Sequence, residues 1–272
     1  TTVGRLAILL GLIAVTLLPF GGCTTGDAGT GEPVLRVGVS PRFPPWVYKE
    51  GRRVTGLEVD FAEGLAQAMG RRLVLVERPF TDLIPALERG DIDIIMSGMA
   101  HTRPRQLRVD FSQPYVSINQ LPVIHRRDVS ELSTPAKVVN TQNRVGVLSN
   151  SRGSHFVEGR FSFAERVAFL NPHEAARALI DADVRLMVVD SPTAWWMASR
   201  YEDKGLVTVN LPMSEDFVCW AVAKGDDETL RAANQYLLDA LDSGEYDRLI
   251  DRWAPFLRAN RRLQPAANPR GQ

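Results

Sequence analysis

The sequence predicts an α/β fold of two lobes joined by two chain crossings, and three observations carry the prediction. Short apolar runs bounded by glycine, proline and small polar residues alternate with segments of helical periodicity, the pattern of strands covered by helices. The alternation occurs twice in tandem, with a polar, charged interval at 126–143 between the two series. Two extended apolar runs, 117–125 and 217–223, lack helical spacing and read as the places where the chain passes between lobes.

In the first series Leu35, Val37 and Val39 alternate with polar or small residues, predicting a strand that stops at Ser40-Pro41. Phe43-Pro44-Pro45-Trp46 follows as a stiff loop whose prolines fix the backbone. Leu57, Phe61, Leu65 and Met69 fall four apart before Gly70, an amphipathic helix with a glycine stop. Residues 73–76 form the next strand, and Thr81 is expected to cap a short helix that turns Leu83, Ile84 and Leu87 inward before Gly90. A buried strand through Ile92, Ile94, Ile95 and Met96 completes a strand-helix-strand-helix-strand order, which implies a parallel sheet.

The second series repeats the order. A strand at 145–148 runs into Ser149-Asn150-Ser151-Arg152-Gly153, and another lies within 163–170. Asn171, Pro172 and Glu174 have the spacing of a capping box at the head of a helix carrying Ala175, Ala178, Leu179 and Ala182 on one face. Residues 186–189 form a buried strand that delivers Asp190, and Ser191-Pro192 opens a helix carrying Trp195, Trp196 and Met197, whose tryptophans are read as lobe packing ahead of lining the cleft or docking a membrane partner. After the second crossing a long helix starts at Asp226-Asp227, buries Leu230, Ala233, Leu237 and Leu241, and ends at Gly244; Tyr246, Leu249, Ile250 and Trp253 continue at helical spacing. Residues 258–272 carry no pattern and read as a disordered tail. The expected boundaries are 34–124 for the first lobe, 125–217 for the second and 218–257 for the segment that follows.

With 272 residues, 44% of them hydrophobic, the chain can bury one large core or two smaller ones, and a formal net charge of zero gives no reason to expect nucleic acid. Residues 1–22 differ from the rest: Arg5, an apolar run at 6–18 and small residues before Cys23 read as a secretory signal peptide, the run being too short for a membrane span. Cys23 stands where a bacterial lipoprotein carries its acylated cysteine, with Phe20 in place of the usual Leu, and 23–33 reads as a flexible tether. Cys219 lies in an apolar run and reads as a buried small hydrophobe. No metal-ligand spacing and no phosphate-loop pattern occurs, so no metal or cofactor is expected.

The chemistry concentrates at 91–115, DIDIIMSGMAHTRPRQLRVDFSQPY. A buried strand gives way to Ser97, Gly98, Ala100 and Thr102, small residues that let a ligand approach the backbone, followed by Arg103 and Arg105. An arginine just past a strand end lies where ligands bind in open α/β sheets, and its fork matches a carboxylate. The residues alone leave this open beside a second reading, in which both arginines are solvated loop charges.

The same stretch resembles the signature of the family 3 periplasmic solute-binding proteins: a small-residue segment after a buried strand, Thr102-x-x-Arg105, then Val109-Asp110-Phe111-Ser112-x-Pro114-Tyr115. The resemblance extends from about residue 35 to about residue 255 and implies a type II periplasmic binding fold whose C-terminal helices return to the first lobe. It implies that Arg105 grips the α-carboxylate of an amino acid, that Asp190 within Val-Asp-Ser-Pro takes its ammonium, and that Phe43 and Phe80 form two faces of an aromatic sandwich. It matches Ser97 and Gly98 to ligand-contacting positions, starts the arginine motif at Thr102, and assigns Trp46, where a Phe is usual, to packing. Ser40 stands where binders of basic amino acids often carry an Asp, which argues against lysine or arginine. Ala100 lacks a hydroxyl common there, and Arg152 replaces a Thr, raising an acidic or dicarboxylate solute as a further reading.

The implied protein is no enzyme. It captures a small polar solute, an amino acid first, outside the cytoplasm and delivers it to an ABC permease, as a monomer tethered to the membrane through Cys23. Its place is the periplasm or cell envelope. Two other classes stay open: a cyclohexadienyl or arogenate dehydratase-like enzyme and a solute sensor. The dehydratases tend to carry a carboxylate three residues past Asp190, where this chain has Thr193, and a lytic transglycosylase would need a further catalytic domain after Trp253.

Overall fold

A computed structural model of the chain describes residues 32–260. The signal peptide expected at 1–22, the acylated Cys23 and most of the tether and tail lie outside the described residues. No helix among the described residues is long and apolar enough to cross a membrane.

Two five-stranded sheets organise the molecule. Across the first run Arg72–Glu77, Val34–Val39, Ile94–Ile95, Ala221–Ala223 and Val109–Phe111; across the second, Glu165–Phe169, Arg144–Leu148, Leu186–Asp190, Gln120–His125 and Leu206–Thr208. In each sheet the first three strands are parallel and the fourth is antiparallel to both of its neighbours. The fourth strand is in each case contributed by the chain as it arrives from the other sheet. Just ahead of these two insertions Val116–Ile118 and Asp216–Val218 pair with each other antiparallel, so both crossings meet in one ribbon.

This corrects the expected boundary. Gln120–His125 belongs to the second sheet, so the first crossing falls near 116–119 and not at 125. Five of its six residues are buried, and an apolar run states that a strand is buried without stating in which sheet. The return behaves as the resemblance implies: helices Asp227–Asp242 and Glu245–Trp253 supply Ala233, Tyr236, Leu237, Ala240 and Ile250 to the core shared by the first sheet and helix Leu57–Ala68. Residues 258–260, expected in the tail, close a 3-10 helix at Pro255–Asn260.

Local signals differ in how far they carried. Asn171 caps as its spacing demands, accepting from Glu174 N at 3.0 Å while its amide donates to Glu174 Oε1 at 2.8 Å. Thr81 does not cap. It sits inside a 3-10 turn, Phe80–Asp82, its hydroxyl donates to Asp82 Oδ1, and helix Leu83–Glu88 begins only afterwards.

The first core is centred on Phe61, fully buried, whose ring meets Tyr115, Trp220, Tyr236 and Tyr246 at centroid distances of 5.5–6.5 Å. Three of these rings come from the return or its flanking helices, so this cluster ties the last third of the chain to the first. Phe61→Ala is expected to lower the unfolding free energy by about 3–5 kcal/mol in urea titration. A loss below about 1 kcal/mol would mean that the surrounding rings close the gap.

Candidate ligand cleft

Loops at the strand ends of both sheets enclose one cavity. Phe43, Trp46, Phe80, Ser97, Gly98, Ala100 and Arg105 line it from the first sheet's side, and Leu148, Ser149, Ser151, Arg152 and Asp190 from the second's, with Ile118 and Gln120 at the crossing. Of the residues singled out from the sequence, Phe43, Phe80, Ser97, Gly98, Arg105, Arg152 and Asp190 are therefore brought together. Ser40 lies behind the wall, its backbone N–H donating to Ser97 Oγ at 2.9 Å. Thr102 faces a neighbouring recess with His101, Arg103 and Asp216.

The loops take these positions through two residues with left-handed backbone. Gly98 has φ 62°, and a Cβ there would lie 2.8 Å from the Trp46 ring, so both conformation and space require glycine. Asn150 has φ 56°, a region asparagine tolerates, and its carbonyl accepts from Arg105 Nη2 at 3.4 Å.

Arg105 sits in a short helix, Arg103–Gln106, with Pro104 in its first turn. Its Nη1 donates to Ala100 O at 2.8 Å, and its guanidinium lies over the Phe80 ring, 5.2 Å from the centroid. No carboxylate among the described residues forms a salt bridge with it. Burial and then the Arg152 charge push its pKa down to about 10, so it remains a cation at neutral pH and lacks an anion.

Asp190 ends strand Leu186–Asp190 and is the N-cap of helix Ser191–Arg200. It accepts from Thr193 N and Thr193 Oγ1, both at 3.0 Å, and from the Trp46 indole N–H at 3.2 Å across the cleft. Burial raises its pKa, opposed by these donors. A carboxylate offers about four acceptor sites, so three bonds leave room for one more donor. The two readings available from the sequence, helix cap and cleft acid, thus coexist.

Other placements depart from expectation. Phe43 and Phe80 meet edge to face at 5.9 Å and 75°, which leaves no slot between parallel rings; Phe80 turns its face to Arg105 instead. Trp46, assigned to packing, both packs in the first core and lines the cavity. Arg152 faces the cavity, but its Nε donates to Asp216 Oδ1 at 2.6 Å, and Asp216 is 6% exposed and also accepts from Ser214 Oγ.

Glu58 was not singled out from the sequence. It is fully buried behind Gly98, whose N–H donates to its Oε1 at 2.9 Å, and Tyr115 Oη donates to the same oxygen. Burial is the dominant influence and pushes its pKa up to about 7 against the pull of these donors. The signal was present: Glu58, Ala62 and Leu65 share the inward face of helix Leu57–Ala68. For Gln120 the signal was a polar residue within the apolar run 117–125. Among the described residues no group of three or more His, Cys, Asp or Glu is placed to hold a metal ion.

A cleft closed by loops from two α/β lobes, with a guanidinium lacking a counter-charge among the described residues on one wall and a half-buried carboxylate on the other, defines a two-lobed receptor for a small polar solute. Residues 35–256 match the model of the bacterial extracellular solute-binding proteins, family 3, and the chain belongs to that family. It is 29% identical to a probable histidine-binding protein of Neisseria gonorrhoeae, over 81% of this chain and 82% of that protein. A cyclohexadienyl dehydratase of Pseudomonas aeruginosa is 25% identical over 82% of this chain and 83% of its own length. The structure superposes on that of an ancestral arginine-binding protein bound to arginine with a TM-score of 0.75 at 28% identity, covering 81% of this chain and 98% of that one. The architecture is the type II periplasmic binding fold.

A raised carboxyl pKa means that the native state holds a proton the unfolded chain has already released. Stability contributed at Glu58 is therefore present at low pH and lost as pH rises from about 4.5 to about 7. Glu58→Gln keeps an acceptor for Gly98 N–H and removes the titration. The variant's Tm is expected to fall less than the wild type's across that interval in scanning calorimetry; equal slopes would show that Glu58 is not the responsible group.

Proposed function

We propose that this protein captures a free α-amino acid in the cleft and hands it to an ABC permease. Arg105 takes the α-carboxylate and Asp190 the α-ammonium. The supporting observation is the pair itself: a half-buried guanidinium without an anion and, in the same cavity, a half-buried carboxylate with acceptor capacity left. The names of the relatives, which are mostly amino-acid-binding proteins, support the same solute class. The Arg105 to Asn150 and Trp46 to Asp190 bonds join opposite walls, so a solute bridging Arg105 and Asp190 strengthens contacts that hold the lobes together. The setting we assign is the periplasm or cell envelope, with the chain acting as a monomer tethered by a lipid at Cys23.

A dehydratase-like reaction has less support. Thr193, where such an enzyme tends to place its acid, spends both its N–H and its hydroxyl on Asp190 and carries no titratable proton.

The test is a thermal-shift screen against the amino acids. A ligand at a hundred times its Kd adds roughly 2.7 kcal/mol of stability. Arg105→Ala is expected to abolish the shift. Asp190→Asn, which retains a capping side chain, is expected to weaken binding by about ten- to a hundredfold. Full binding by both variants would overturn the assignment. Transport separates from sensing by the partner: co-purification with a permease supports the proposal, and with a sensor kinase or receptor instead it does not.

A further inference from the structure

Gln120 is the first residue of strand Gln120–His125 and stands directly opposite Asp190 in the antiparallel ladder, so the two side chains leave the sheet on the same side. Both line the cavity. The Gln120 backbone is satisfied, its N–H donating to Ser214 Oγ and its carbonyl accepting from Met213 N. Its side chain is not: the residue is 0% exposed, and neither Oε1 nor Nε2 meets a hydrogen-bond partner among the described residues. A buried, unpaired primary amide is costly, and this one faces into the cleft. Space is kept for it by Gly153, where a Cβ would come within 2.8 Å of Gln120 Oε1 and 2.7 Å of the Val188 carbonyl.

The charges around the cavity restrict what meets that amide. Arg105, Arg152 and Asp190 line it, but the Arg152 guanidinium is matched within the protein by Asp216, itself nearly buried. One cation and one anion remain, the complement of a zwitterion whose side chain is uncharged. A guanidinium or ammonium side chain finds no second acid in the lining, and a side-chain carboxylate finds no unmatched cation. The side chain must also answer Gln120 on both atoms. Ammonium and guanidinium groups only donate, and would leave Nε2 unpaired; a carboxylate only accepts, and would leave Oε1 unpaired.

Resting on the amino-acid reading of the cleft, we infer that the solute is a zwitterionic amino acid whose neutral side chain both donates and accepts a hydrogen bond, and that Gln120 selects it. A primary carboxamide and a neutral imidazole share this chemistry. The proposal separates this chain from the arginine-binding proteins among its relatives.

Calorimetric titration of wild type, Gln120→Met and Gln120→Glu with glutamine, asparagine, histidine, arginine, lysine, glutamate and norvaline tests it. Wild type is expected to bind glutamine, asparagine or histidine at least about tenfold tighter than the charged side chains, one net hydrogen bond being worth about that factor. Preference for glutamine or asparagine identifies a carboxamide. Preference for histidine, weakening as pH falls below about 6.5, identifies a neutral imidazole. Gln120→Met is expected to lose at least about tenfold toward the preferred ligand and nothing toward norvaline, and Gln120→Glu to move selection toward arginine and lysine. Because the amide is unpaired, the ligand-free Met variant should melt no lower than wild type. Tightest binding of arginine, lysine or glutamate by wild type overturns the selection and leaves the amino-acid reading standing. Equal losses for every ligand in Gln120→Met, or a lower Tm of that variant alone, also overturn it. No response to any amino acid overturns both readings.

Discussion

The pairing of Val116–Ile118 with Asp216–Val218 is the constraint on which the remainder of this molecule depends. Each crossing segment turns straight into the antiparallel fourth strand of the sheet it enters, so neither sheet is complete until the chain has passed both ways. A two-strand ribbon is thin enough to bend and is fixed in register at both ends by buried strands. The cavity lies against this ribbon, with Ile118 and Gln120 in its lining, so its wall includes the segment that joins the two sheets.

Electrostatics in the cleft follow from which charges have partners. Arg152 and Asp216 form a pair within the protein, and the exposure of Asp216, 6%, makes that pair expensive to break, since separating it strands a buried anion. Arg105 has carbonyl acceptors and an aromatic face but no counter-charge. Two arginines in one cavity therefore stand differently, one closing an internal pair and the other without a counter-charge among the described residues. Sequence cannot separate them, because Arg152 and Asp216 are 64 positions apart.

Legibility followed the range of the interaction. Helix Leu57–Ala68, the capping box at Asn171 and the strand into Asp190 were readable because each depends on neighbours within a few residues. The small-residue stretch and Arg105 were readable as chemistry, and the resemblance gathered Phe43, Phe80, Ser97, Gly98 and Asp190 around them. What remained hidden depends on distant partners. The sheet membership of Gln120–His125 is decided by pairing with Leu186–Asp190 and Leu206–Thr208, Glu58 by its contact with Gly98, and the orientation of Phe80 by Arg105. Thr81 failed for a local reason: it lies inside the 3-10 turn Phe80–Asp82, which puts Asp82 and not Thr81 at the start of the helix.

Asp190 holds the first turn of helix Ser191–Arg200 through Thr193 and reaches Trp46 on the opposite wall with the same oxygens. This couples the cavity wall to the start of a helix. Replacements that keep the helix start are confined to residues with a short polar side chain, and among those only aspartate retains the negative charge. Capping alone is met by Asn, Ser or Thr as well, so what aspartate adds at 190 is a charge held at the cavity wall by the same bonds that start the helix.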